Sequence, residues 1–102
     1  MQIHAEKQGN ALHVYVLGEI DEHSAKTARM QADLLAKNHV QSERAVFNLG
    51  GVSFMDSTGI GFLIGRYKTF RALGIPTYIT GVQSETDRIL QMSGVYTLMP
   101  KI

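Results

Sequence analysis

Arg44-Ala45-Val46-Phe47-Asn48-Leu49 runs through Gly50-Gly51 and Val52-Ser53-Phe54-Met55 into Asp56-Ser57-Thr58-Gly59, and then into Ile60 to Leu73. The first segment is a continuous apolar run of strand length, which predicts a central strand. The last carries Ile60, Leu63, Ile64, Tyr67 and Phe70 at helical spacing, which predicts a helix facing the core with these side chains. Asp56 to Gly59 therefore sit where a strand hands over to a helix. The first helical turn offers free N–H groups and the positive end of the dipole. A serine at that place has three readings: a helix cap, an enzyme nucleophile, or a hydroxyl that gains and loses a phosphate.

Working outward, Ile3 to Lys7 and Leu12 to Leu17 alternate around Gly9-Asn10 and predict a hairpin whose first strand is an edge. Leu12, Val14 and Val16 share one face. Beyond Gly18-Glu19-Ile20-Asp21, a stripe of Ala25, Ala28, Ala32 and Leu35 predicts a helix capped by Asp21 or Ser24 and ended at Asn38-His39. Gly74 suits the C′ position of the second helix. Ile75 to Thr80 reads as a strand. Ser84-Glu85-Thr86-Asp87 resembles a capping box ahead of a short helix closed by Gly94. Val95 to Met99 is expected as a last short strand. The order β-β-α-β-α-β-α, with that extra strand, predicts a single α/β domain over residues 1–102. Its mixed sheet has four to five strands packed with amphipathic helices.

Composition narrows the function. The chain is 44% hydrophobic and 19% charged, enough to bury a core. Ten Lys+Arg stand against nine Asp+Glu with no basic stripe, so no nucleic-acid partner is expected. The absence of Cys excludes disulfides, thiolate metal sites and a cysteine nucleophile. No secretory signal pattern opens the chain, and no apolar run approaches the ~20 residues of a membrane span. These features predict a soluble, cytoplasmic domain with no membrane partner, no metal and no cofactor.

The glycines bear on the three readings of Ser57. Gly59, Gly61 and Gly65 fall inside the second helix, where each costs up to ~1 kcal/mol relative to Ala. Gly61 and Gly65 share a face that would admit a close-approaching backbone. Gly59 is expected to leave the Ser57 turn open to a large partner. A bare cap does not require this, and with Ile at position 60 no capping box forms. The nucleophile elbow needs Gly two residues before the serine, but Met55 stands there. His4, His13, His23 and His39 all precede the motif, and nothing selects one as a base. Gly59-Ile60-Gly61 matches neither phosphate-loop signature. Glu19-Ile20-Asp21-Glu22 reads as a solvated turn or as an acidic rim beside Ser57, provided that the second and third strands run parallel. Arg66, Lys68 and Arg71 read as solvated cations around a core Tyr67, or with it as a partner-facing ridge.

Three groups of residues resemble the STAS-domain anti-sigma factor antagonists of bacteria. These are Leu17 to Asp21, Asn48-Leu49 through Ser53 to Gly61, and Gly65-Arg66-Tyr67-Lys68 with Met92-Ser93-Gly94. The likeness covers essentially the whole chain and looks closest to the sporulation branch, which acts in the sigma F pathway. It implies a binding module and kinase substrate with no catalytic residues of its own. The unphosphorylated form would bind an anti-sigma factor that is also a serine kinase, freeing a sigma factor. Phosphorylation at Ser57 would end that binding, and a serine phosphatase would reset it. The resemblance places Asp21, Asp56, Ser57, Thr58, Gly59 and Gly61 on the partner face. Thr58 departs from the family's commonest Ser and is a second candidate for phosphorylation. A STAS module in another partner-switching or stressosome-like assembly, and a small serine hydrolase, are the alternatives.

Overall fold

The computed structural model describes every residue from Met1 to Ile102. Strands β1 (Gln2–Gln8) and β2 (Ala11–Leu17) form the antiparallel hairpin that their alternation predicts. Gly9 turns it at φ 60°. Strand β3 (Arg44–Gly51) lies parallel to β2, and β4 (Thr77–Thr80) lies parallel to β3, giving the order β1-β2-β3-β4. Leu12 faces Ala45 and Val14 faces Phe47 across the β2–β3 pair. One face of the sheet (Leu12, Val14, Val16, Ala45, Phe47, Leu49 and Ile79) feeds the hydrophobic core. The helices close that face.

Helix α1 (Glu22–Asn38) is capped by Asp21, whose Oδ1 accepts from the Ser24 N–H at 2.8 Å and from the Ser24 hydroxyl at 2.9 Å. These bonds, the backbone one first, hold the Asp21 carboxyl below the usual carboxylate range. Its buried stripe is Ala25, Ala28, Ala32 and Ala36, with Leu35 only half-buried. Four alanines make a smooth seam along which a second helix can lie close.

Helix α2 (Ser57–Ala72) ends at Gly74 in a Schellman arrangement, with Ile75 N–H donating to Phe70 O and Gly74 N–H to Arg71 O. Its burial differs from the single stripe expected. Leu63 and Phe70 are buried, but Ile60, Ile64 and Tyr67 are only half so, and Phe62 and Arg66 are buried as well. The cause is that α2 packs on two sides, against the sheet and against α1. Arg66 is therefore not a solvated cation. It is 5% exposed, stacks over the Phe62 ring at 5.2 Å and sets its Nε 2.7 Å from Asp33 Oδ1 on α1. That contact is a close charge pairing off the hydrogen-bond axis, and Nη1 has no partner. Burial lowers the pKa of the Arg66 guanidinium; Asp33 opposes the shift, and Arg29 nearby adds to it.

The α2 glycines divide into two kinds. A Cβ on Gly59 would sit 2.5 Å from Met55 Cγ, whereas one on Gly61 or Gly65 meets nothing within 4 Å. Gly59 is buried. It thus makes room for the chain's own Met55 rather than opening the turn to a partner. Gly61 and Gly65 leave vacant surface.

Helices α3 (Ser84–Ser93) and α4 (Val95–Leu98) complete the fold. No capping box forms: Gln83 is the N-cap and makes no side-chain cap bond. Asp87 instead accepts from Tyr96 Oη at 2.6 Å, Lys101 Nζ at 3.0 Å and Gln91 Nε2 at 3.0 Å. The Tyr96 bond, then Lys101, hold its carboxyl below the usual range. The expected strand at Val95–Met99 is the short helix α4 instead. Gly94, at φ 81°, reverses the chain so that Val95 buries and Met99 N–H returns to Val95 O at 2.8 Å. The extended pairing falls later: Ile79 N–H donates to Pro100 O and Ile102 N–H to Ile79 O, both at 2.9 Å. This covers part of the otherwise open β4 edge.

Two outcomes follow for stability in urea. Gly59→Ala will lower it by about 1 kcal/mol or more through overpacking against Met55, while Gly61→Ala will raise it by about 0.5–1 kcal/mol. A Gly59→Ala protein as stable as the parent would contradict the packing. Asp33→Ala, which strands a buried cation, will cost about 3 kcal/mol, whereas Arg66→Met, which keeps the packing, will cost less than half of that. Equal losses would show that the charge pairing does not govern the seam.

Candidate functional site

Parallel pairing of β2 and β3 brings both strand exits to one edge. Gly18 N–H donates to Gly51 O at 2.9 Å, fastening the two exits together. From the first, Glu19 to Asp21 leads into α1; from the second, Val52 to Asp56 leads into α2. Ile20, Val52 and Met55 are buried and anchor these loops from below. Glu19, Asp21, Ser53, Phe54, Asp56 and Ser57 stay exposed above them. The two helix starts are therefore neighbours at the same end of the molecule, as the acidic-rim reading requires.

The cap of α2 is Asp56. Its Oδ1 accepts from Thr58 N–H at 2.9 Å and Gly59 N–H at 3.4 Å, and its carbonyl accepts from Ile60 N–H at 3.1 Å. Ser57 is the first helical residue, is exposed, and its hydroxyl makes no hydrogen bond. Capping is thus already supplied by Asp56, and the Ser57 hydroxyl has no structural duty. A residue at that position has its own N–H among the unpaired donors of the first turn.

A shallow cleft of about 450 Å³ opens between α1 and α2, lined by Glu22, Ala25 and Arg29 from one and Ser57, Thr58, Gly61 and Phe62 from the other. Of the site residues singled out in the sequence, the structure gathers Glu22, Ser57, Thr58 and Gly61 on this cleft. Asp21 and Asp56 cap the two helices at its mouth without lining it. Gly59 is turned inward. None of the four His residues lines the cleft: His39 Nδ1 is engaged with Leu35 O at 2.8 Å, and His4 lies beside Glu6 at 3.3 Å.

Two site residues were missed in the sequence. Arg29 lines the cleft two turns along α1 from Glu22; that spacing was a signal once Glu22 had been placed on the rim. Phe54 is 53% exposed beside the motif, with no sequence signal to separate it from a core phenylalanine. Nowhere do three His, Asp or Glu side chains converge as metal ligands. No helix is long and apolar enough to cross a membrane.

The STAS domain family model matches residues 2–102. The anti-sigma F factor antagonist of Paenibacillus polymyxa is 36% identical over 100 residues, spanning 98% of this chain and 85% of that protein. The anti-sigma-B factor antagonist of Staphylococcus aureus is 31% identical over 94 residues, spanning 91% and 77%. Among solved structures, the anti-sigma factor antagonist SpoIIAA in its unphosphorylated form superposes with a TM-score of 0.78 at 22% identity, over 99% of this chain and 88% of that one. The phosphorylated form of SpoIIAA from Bacillus gives 0.70 at 22%, over 99% and 91%. With its two-layer α/β fold and the Asp56-Ser57-Thr58-Gly59 turn at the α2 start, the chain belongs to the STAS-domain family of anti-sigma factor antagonists.

Proposed function

We propose that the chain is a cytoplasmic anti-sigma factor antagonist whose switch is the Ser57 hydroxyl. The observation that carries this reading is the division of labour at the α2 start: Asp56 caps the helix, and the next residue offers an exposed, unbonded hydroxyl. In the unphosphorylated state the end of the molecule bearing Asp21, Asp56, Ser57, Thr58 and Gly61 docks on an anti-sigma factor that is also a serine kinase, and the sigma factor is released. Phe54 contributes apolar area, and Gly59 contributes by shaping the backbone from beneath.

The partner then transfers the γ-phosphoryl group of its ATP to Ser57 Oγ. The Oγ–P bond forms as the bond from the γ-phosphorus to ADP breaks, and the hydroxyl proton passes to a base of the kinase. The product carries about −1.5 to −2 charges more at pH 7. The helix start tolerates this charge because free N–H groups and the dipole face it. The interface does not, because Asp56, Asp21 and Glu22 already make this end acidic and the phosphate must be desolvated to pack there. The modified chain is released, and a serine phosphatase hydrolyses the phosphate to restore the starting form. In this cycle the chain is a substrate and a binding module, uses no cofactor, and contributes no catalytic group.

The test is site mapping. The purified chain is incubated with its cognate anti-sigma kinase and ATP, and the product is analysed by peptide mass spectrometry. One phosphate at Ser57, absent from Ser57→Ala, is expected. Phosphate confined to Thr58, or none, would overturn the assignment.

A further inference from the structure

We infer that Arg29 of α1 is the built-in receptor for a phosphate on Ser57, closing across the α1–α2 cleft as a clamp within the modified chain. This rests on the reading of Ser57 as the phosphorylated residue and adds the group that holds the phosphate.

Four observations converge on it. Arg29 and Ser57 line the same cleft from opposite helices. Arg29 is exposed and engaged in no ion pair or hydrogen bond, so its guanidinium is free to move. Arg66 Nη1 is buried without a partner, Asp33 is the one counter-ion of Arg66, and Arg29 is close enough to disfavour the Arg66 charge, so an anion that pairs with Arg29 would relieve that repulsion. Finally, Gly61, one turn further along α2 from Ser57, puts no side chain into the cleft on that side, and even a methyl group there would meet nothing within 4 Å.

The chemistry fits the arrangement. An arginine fork donates two parallel N–H bonds to phosphate oxygens, which a lysine does not reproduce. The charged groups around residue 57 are Asp56 on its own turn, Asp21 at the mouth of the cleft, and Glu22 and Arg29 on α1, with the Asp33–Arg66 pair deeper along the seam. Glu22 and Asp56 repel the phosphate, and Arg29 is the only exposed cation lining the cleft. Modification would therefore do two things to the partner face: it adds negative charge, and it withdraws a free cation by pairing it internally.

The test installs phosphoserine at position 57 genetically, independent of any kinase, and follows the phosphate by phosphorus NMR titration. A phosphoserine ordinarily titrates near pH 6. In the parent, the clamp holds this value lower than in Arg29→Gln by about half a unit or more, and Arg29→Lys keeps only part of the difference. Lys26→Gln removes a cation from the same helix outside the cleft and is expected to leave the titration unmoved. Unmodified Arg29→Gln should unfold at the parent's temperature, since the side chain is exposed. Identical titrations in parent and Arg29→Gln, or equal shifts in Arg29→Gln and Lys26→Gln, would overturn the clamp. Neither outcome touches the assignment of Ser57, which stands or falls on the kinase mapping.

Discussion

The parallel pairing of β2 with β3 is the constraint on which the rest depends. Parallel neighbours release their chains at the same end, so both following helices must start side by side. The Gly18–Gly51 hydrogen bond at 2.9 Å fixes that edge, and buried Ile20, Val52 and Met55 hold the two loops at one height. Two helix N-termini and their aspartate caps are thereby concentrated on one small surface. An antiparallel β2–β3 pair would send Asp21 and Ser57 to opposite ends of the sheet, and no shared face would exist.

Behind that surface, α2 is held from two sides. Phe70 packs edge-on to Phe47 of the sheet, with ring centroids 5.4 Å apart, while Phe62 and Arg66 face α1. The alanine stripe of α1 permits the close approach, and the Asp33–Arg66 pairing ties the seam. Burial of a charge is weak evidence of stabilisation, but it does fix which parts of two helices meet. At the front end, Gly59 gives Met55 its place beneath the turn. The strand-to-helix turn is therefore packed from below and open above, which suits the proposed modification of Ser57.

How much of this was legible depended on whether the cause was local. The hairpin, the apolar β3, the Asp21 cap and the Gly74 terminus follow from patterns within a few residues, and the structure has them. Arg66 was misread because its burial is decided by α1, more than thirty residues earlier in the chain, and a sequence shows only that arginines are usually solvated. The Val95–Met99 strand failed because Gly94 turns the chain, and burial of Val95 and Met99 overrides β propensity. Gly59 was correctly seen as costly, but the reason lies in Met55 and not in a partner. The site motif was legible through its position between strand and helix. Arg29 was legible only in part: its two-turn spacing from Glu22 was a signal, but its relevance arises only when α1 and α2 lie together.

In the proposed function, the same arrangement would let one added group act on binding and spare the fold. A helix start stabilises negative charge, whereas a packed acidic interface rejects it. The two environments meet at Ser57. The most direct test is calorimetric titration of the cognate anti-sigma factor with unmodified and Ser57-phosphorylated chain, with thermal unfolding of both samples. The prediction is a loss of about a hundredfold in affinity, ~3 kcal/mol, with unfolding midpoints within a few degrees of each other. Equal affinities, or a phosphorylated chain that binds poorly because it has lost its fold, would contradict it.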